Sequence, residues 1–243
     1  MKNSKPKLIV VLGPTASGKS ALAIKIAQKF KGEIVSADSR QIYRGLDIGA
    51  NKITKKEMAG IKHHLLDIAP PDKKINLYDW QKKAFAAINK IIKKKKLPLL
   101  CGGTGLYICS ILQNYKMPQQ SRPCPYDFII FGLNPERSKL YTKIDQRVLA
   151  MLKSGLVKEV AGLYKKYPNY KLNALTGIGY QEIIKFLDSK ISFNQAVQDI
   201  QQNTRHYAKR QMTWFRRMER QGLKIYWNQS WPEIAKKINY FLK

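Results

Sequence analysis

From Gly13 to Ser20 the chain reads GPTASGKS, a glycine-rich turn that closes on Lys-Ser. Glycines let successive backbone N–H groups turn inward, and a helix starting there adds its positive end. Lys19 brings a point charge, and the Ser20 hydroxyl suits Mg²⁺. Gly13, Pro14, Thr15, Ala16, Ser17, Gly18, Lys19 and Ser20 are therefore expected to cradle a diphosphate. A turn that merely caps a helix has no need of the Lys-Ser pair.

Phosphate binding does not name a reaction. A nucleoside-triphosphate hydrolase pairs such a loop with a second apolar strand ending in Asp, which helps to hold Mg²⁺. Here the corresponding run, KLPLLCGGTG, ends in glycines and Thr104, which permit close backbone approach and offer a hydroxyl. The carboxylate at the end of a core strand is Asp38, in IVSADSRQIY. It reads either as a general base or Mg²⁺-adjacent carboxylate at the carboxyl edge of a parallel sheet, or as a cap on the next helix.

A third group lies near the carboxyl terminus, in TRHYAKRQMTWFRRMERQ. Arg205, Lys209, Met212, Arg216 and Arg220 recur there at helical spacing, with Tyr207, Trp214 and Phe215 interleaved. Such a stripe suits the phosphates and unstacked bases of an RNA loop. It also describes an ordinary solvated helix face with Trp214 and Phe215 in the core. His63 and His64 have no metal-ligand partners at useful spacing and read as structural or near the substrate channel.

These residues need a scaffold, and the chain supplies alternating strands and helices. KLIVVLG and GEIVSAD read as buried parallel strands flanking the helix GKSALAIKIAQKF, whose Leu22, Ile26 and Phe30 share one face. YDWQKKAFAAINKIIKKKK is a helix with Trp80, Ala84, Ala87, Ile88 and Ile91 inward, followed by the strand LPLLCGG. A link rich in proline and glutamine, MPQQSRPCPY, precedes the strand DFIIFGL. From Pro135 the chain is mainly helical, ending in a long helix from about Phe193 to Gln221 and the strand LKIYWN. The expectation is a single α/β domain over residues 1–243, with a three-layer parallel sheet of the P-loop NTPase type. Its mainly helical part, 135–222, would pack on that core and bind RNA or substrate.

Composition narrows the partners. Among 243 residues, 45 Lys and Arg against 16 Asp and Glu leave a formal charge of +29, a field that draws polyanions and nucleic acid first. Single lysine runs such as Lys93 to Lys96 can also be plain solvated surface. No apolar run is long enough to span a membrane, and MKNSKPK leads into a core strand rather than a signal peptide. Cys101, Cys109 and Cys124 form no C-x-x-C pair. A cytoplasmic protein with reduced thiols follows, and a monomer is expected.

Together GPTASGKS, SADSRQIYRGLDIGANK, GIKHHLLDI, PLLCGGTGLYI, IDQRVLAMLKSGLVKEV, TGIGYQEI and NTRHYAKRQMTWFRR, in that order, resemble the successive motifs of the tRNA dimethylallyltransferases. The resemblance runs from Leu8 to Trp227. It implies that the loop holds dimethylallyl diphosphate with Mg²⁺ at Ser20, so Lys19 stabilises a leaving diphosphate rather than a transferring phosphoryl group. It implies that Asp38 takes the proton from the N6 amine of the adenosine 3′ of the anticodon, with Thr15 and Thr104 lining the donor site. Ser39, Arg40 and Gln41 would contact the flipped base, and Lys209, Arg210 and Gln211 would reach diphosphate or RNA. The tRNA anticodon stem-loop would also meet Arg205, Trp214 and Arg216.

One departure stands out. After GGTGLYI, members of that family usually carry a helical insertion of several tens of residues that covers the reaction channel and grips the stem-loop. Here residues 109–127 form only a shortened link. Compact enzymes that prenylate free AMP also lack the insertion, so AMP is a rival acceptor. The chain also admits two rival readings from other classes, a P-loop nucleotide kinase and a non-catalytic RNA-binding remnant.

Overall fold

The computed structural model describes residues 5–116, 120–121, 123–167 and 172–243. Residues 1–4 and part of the 109–127 link, at 117–119 and 122, lie outside that description.

Strand β1 (Lys7–Leu12) is apolar along most of its length and occupies the middle of a parallel sheet. The other strands are β2 (Gly32–Ala37), β3 (His63–His64), β4 (Leu97–Gly102), β7 (Asp127–Gly132) and β8 (Ile225–Trp227). Their order is β3-β2-β4-β1-β7-β8. A short antiparallel pair, β5 (Tyr115–Lys116) and β6 (Gln120–Ser121), stands apart in the link.

A parallel sheet needs crossover helices on its faces, which bury both sides of the central strands. On one face Leu8, Val10 and Leu12 meet Trp80, Ile88 and Ile91 of α2 (Leu77–Lys93), Ile108 of α3 (Gly105–Leu112) and Phe215 of α7 (Phe193–Arg220). On the other face Ile9 and Val11 meet Ala23 and Ile26 of α1 (Lys19–Lys29) and Ile234 and Ile238 of α8 (Trp231–Leu242). The result is three layers. Helices α4 (Arg137–Lys153), α5 (Leu156–Lys166) and α6 (Tyr180–Leu187) extend the first face. The break between α4 and α5 falls at Gly155, whose φ of 99° is left-handed backbone that glycine adopts without strain.

The register decides where chemistry can gather. Leu12 pairs with Gly102 and Gly132, and Gly102 also pairs with Ala37. Four strands thus end in line, and Gly13, Asp38 and Gly103 are the next residues along that edge. Gly102 makes the close spacing possible, because a Cβ there would lie 2.1 Å from the Ala37 carbonyl oxygen.

Phe215 is fully buried in the core, while the Trp214 ring lies against the Gly105 backbone and its Nε1 donates to Cys109 Sγ at 3.4 Å. Helix α8, absent from the expected elements, begins at a capping box in which Glu233 accepts from the Ser230 N–H at 2.8 Å. His63 and His64 form the edge strand β3, and His64 Nε2 lies 2.7 Å from Glu33 Oε2. Among the described residues no helix is long and apolar enough to cross a membrane, and no cluster of His, Cys, Asp and Glu could hold a metal by itself.

Candidate active site

The phosphate loop leaves β1 at Gly13 and turns into α1 at Lys19. Ala16 at φ 62° and Gly18 at φ 90° supply the left-handed turns that fold the loop back on itself. Lys19 Nζ donates to the Pro14 carbonyl at 3.2 Å, so the ammonium is held over the loop. Burial lowers its pKa, while Cys101 and Asp38 pull the other way. Ser20 is exposed in the first turn of α1.

Two helices from the carboxyl-terminal half grip this loop. Gln211 of α7 is 5% exposed; its Oε1 accepts the Thr15 N–H at 2.8 Å and its Nε2 donates to the Gly103 carbonyl at 2.9 Å. Gly103 admits that side chain because a Cβ there would lie 2.2 Å from Nε2. Arg147 of α4 reaches the other side of the same threonine, with Nη1 3.4 Å from Thr15 Oγ1. The expectation for Gln211 is contact with diphosphate or RNA; its amide is instead satisfied at both ends inside the fold, because it shares a face with Ala208, Phe215 and Met218.

Asp38 follows β2. Its Oδ1 accepts the N–H of Arg40 at 2.8 Å and of Gln41 at 3.3 Å, which orients the carboxylate at the sheet edge. Arg40 donates to the Asn173 carbonyl and, at 3.3 Å, to Thr176 Oγ1, and Gln41 Nε2 donates to the Asn51 carbonyl at 3.1 Å. The loop beyond is fixed by Glu159, whose carboxylate accepts the N–H groups of Asp47, Ile48 and Gly49 and the Tyr180 hydroxyl. Tyr180, from the run TGIGYQEI, therefore helps to brace the segment after Asp38. Ser39 is half-buried beside it.

Thr104 begins α3, and its N–H donates to the Ala37 carbonyl at 3.2 Å. Its Oγ1 is buried and faces the Tyr207 hydroxyl. Burial, with the Asp38 charge, pushes Tyr207 up to about 12. Tyr107 is likewise raised to about 12, mainly by burial. Arg210 lies over the Tyr207 ring, 5.9 Å from its centroid. Asp38, Thr104, Tyr207 and Arg210 thus share one neighbourhood with Lys19, as the strand ends require.

The remaining α7 residues divide. Lys209, Arg210 and Arg216 are exposed, whereas Arg205 forms a two-point ion pair with Asp145 of α4, its Nη2 2.6 Å from Oδ2. Arg147 is the site residue that sequence reasoning missed, and Tyr207 is placed by the structure against Thr104 rather than with the RNA-facing stripe. Their signals were present: Arg147 lies between the inward residues Ile144 and Val148, and Tyr207 precedes the inward Ala208.

A family model described as IPP transferase matches residues 41–124 and 115–218. The chain belongs to the IPP transferase family. A relative named tRNA dimethylallyltransferase, from Streptococcus agalactiae, is 36% identical over 293 aligned positions that take in 98% of each chain. Since this chain has 243 residues, several tens of those positions fall opposite gaps in it. Two crystal structures superpose at a TM-score of 0.87. One is a tRNA isopentenylpyrophosphate transferase from Bacillus halodurans, 30% identical, covering 98% of this chain and 96% of its own. The other is a tRNA delta(2)-isopentenylpyrophosphate transferase from Staphylococcus epidermidis, 32% identical, covering 97% and 100%. The two segments matched by the IPP transferase model meet at 115–124, so the match is interrupted in the link after α3.

Proposed function

We propose that this chain transfers the dimethylallyl group of dimethylallyl diphosphate to the N6 amine of the adenosine 3′-adjacent to the anticodon of tRNA, releasing diphosphate. The observation that carries the reading is the facing arrangement of a phosphate cradle and the Asp38 carboxylate at one sheet edge, closed by the basic helix α7. Membership in the IPP transferase family and the activity for which its relatives are named support it.

In this reading the loop amides and Lys19 bind the diphosphate, and the amine attacks C1 of the dimethylallyl group. The C1–O bond breaks, diphosphate leaves with the bonding pair, and the N6 proton passes to Asp38. An exocyclic adenine amine is a weak nucleophile, so a carboxylate oriented by two backbone N–H groups has a defined task. The Lys19 ammonium, disfavoured by burial, gains most when negative charge collects on the leaving group.

Mg²⁺ fits the donor set. An exposed hydroxyl at Ser20 and the diphosphate oxygens are the hard oxygen ligands this ion takes while keeping some of its waters. Bound there by Ser20, it would neutralise charge on the diphosphate. Thr104 and Arg210 would line the reacting centre, and Lys209, Arg216, Trp214 and the Ser39–Gln41 turn would meet the RNA loop.

The expected 109–127 link is narrower in the fold, since its first residues finish α3 and Asp127 opens β7; we take the segment between α3 and β7 to be a shortened form of the family's insertion, supported by the gapped alignment and the interrupted match. Cys101, Cys109 and Cys124, none of them in a disulfide among the described residues, support a reducing, cytoplasmic setting. The test is incubation with labelled dimethylallyl diphosphate and either an adenosine-bearing anticodon stem-loop or AMP. Label in the stem-loop is expected. Label in AMP alone would move the acceptor to the free nucleotide, and γ-phosphate transfer from ATP without prenyl transfer would overturn the reading.

A further inference from the structure

We propose that Glu159 and Tyr180 are positioning residues for the acceptor: together they set the Ser39–Gln41 turn that meets the adenine base, and with it the aim of Asp38 at the N6 amine. This rests on the prenyl-transfer reading above. Glu159 stands in the first turn of α5, and its carboxylate accepts as many hydrogen bonds as its two oxygens have lone pairs. Oε2 accepts the N–H groups of Asp47 at 3.0 Å and Ile48 at 2.7 Å, and Oε1 accepts the Gly49 N–H at 3.0 Å and the Tyr180 hydroxyl at 2.9 Å. Among the described residues it enters no ion pair. In a chain with 45 Lys and Arg, a carboxylate given over to neutral donors is placed for the geometry it imposes, since bonds to a charged acceptor are short and strong.

Both anchors of the turn lead back to that carboxylate. Gln41 Nε2 donates to the carbonyls of Ala50 at 3.4 Å and Asn51 at 3.1 Å, which directly follow the N–H groups that Glu159 holds. Arg40 donates to the Asn173 carbonyl and, at 3.3 Å, to Thr176 Oγ1, in the segment that runs into Tyr180 at the start of α6. Tyr180 is fully buried with its ring against Gly49, where a Cβ would fall 2.5 Å from it. Burial, and then the Glu159 charge, push its pKa up, so the hydroxyl stays a donor. The bond from Tyr180 to Glu159 therefore joins the Gln41 anchor to the Arg40 anchor. The backbone N–H groups of these same two residues orient Asp38 Oδ1.

The donor side has separate supports. Gln211 ties the phosphate loop to α7 and to the end of β4, and none of the bonds around Glu159 reaches it. The loop after Asp38 also has ties of its own, because Lys52 Nζ lies 2.6 Å from Asp47 Oδ1, 2.5 Å from Asp67 Oδ1 and 2.9 Å from the Tyr43 carbonyl oxygen. Loss of the Tyr180 hydroxyl alters the aim of the turn while the loop stays folded and the phosphate cradle stays as it was.

The experiment uses the full chain, dimethylallyl diphosphate, inorganic pyrophosphate and, as acceptor, the adenosine-bearing anticodon stem-loop or AMP, whichever takes the label. Tyr180→Phe is expected to lower kcat/KM for the acceptor by about tenfold, the scale of one hydrogen bond to a charged group. Glu159→Gln should lower it by roughly 10², the scale of a misplaced reacting group. Pyrophosphate affinity by calorimetry, which reads the phosphate loop, should equal wild type in both variants. Glu33→Gln is the stability control: it acts at the opposite end of β2 from Asp38, and should lower Tm while changing neither quantity. A wild-type kcat/KM in both Tyr180→Phe and Glu159→Gln would overturn the assignment and leave prenyl transfer standing. So would a pyrophosphate affinity that falls in step with kcat/KM, which marks a general loosening of the fold. A wild-type protein that prenylates neither the stem-loop nor AMP would overturn the prenyl-transfer reading, and this assignment with it.

Discussion

Gln211 and Thr15, 196 residues apart in sequence, are joined by a 2.8 Å hydrogen bond from the Thr15 N–H to the Gln211 side-chain oxygen. The same amide donates to the Gly103 carbonyl, so one side chain of α7 ties the phosphate loop to the end of β4. Gln211→Leu leaves two backbone groups without partners, which costs about 1–3 kcal/mol for each one that water does not reach. We expect a lower urea midpoint and weaker pyrophosphate binding from a loosened loop. Gly103→Ala should do the same from the opposite side, since its Cβ would lie 2.2 Å from Gln211 Nε2. Unchanged urea midpoints in both variants would show that the tie contributes no stability.

Asp38→Asn should leave the fold and donor affinity nearly intact, because an Asn oxygen can still accept from the Arg40 and Gln41 N–H groups. The chemical step should fall by roughly 10² or more, the range for a lost general base. Single-turnover prenyl transfer reads this directly, and an unaltered rate takes Asp38 out of that role.

Acid stability should report on Glu33. It is buried at the β2 edge with His64, Lys96 at 2.9 Å and Lys94 at 3.5 Å. Burial alone would raise its pKa; the hydrogen bonds from Lys96 and His64 and the charge of Lys94 overcome that and hold it at about 2, below its ordinary 4.5. A depressed carboxyl stabilises the fold above its unfolded pKa, and the contribution drains as pH falls from about 4.5 through about 2. Glu33→Gln should therefore cost on the order of 3 kcal/mol near neutral pH, with the gap to wild type closing as pH approaches 2. A gap that stays constant across that window would show the ion cluster to be idle.

RNA affinity should fall steeply with salt, since phosphate contacts release condensed counterions in proportion to their number. Replacing exposed Lys209 and Arg216 with Gln should flatten the slope of log affinity against log salt by about one per lost contact. Equal slopes for wild type and variants would assign these residues to plain solvated surface.

Local chemistry was legible where neighbours in sequence are neighbours in space. GPTASGKS needs only the strand before it and the helix after it, and the inward face of α2 follows from a period of about 3.6 residues. The capping signal SWPE at the start of α8 is equally local, yet α8 was not among the expected elements.

What the local pattern left open was which way mixed faces turn. The basic stripe of α7 suggests an outward, ligand-facing helix, yet Ala208, Gln211, Phe215 and Met218 form its buried stripe, and the polar residue inside that stripe is stapled to the fold. By itself, then, the sequence determined the phosphate loop, the alternation of strands and helices, and the charge that draws RNA, because each depends on residues a few positions apart or on composition alone. Only the tertiary structure set Asp38, Gly103 and Lys19 on one edge and turned Arg147 and Gln211 onto Thr15. Those neighbours come from a parallel register of four strands and from two helices docked by the Asp145–Arg205 pair, relations that no short window of the chain contains.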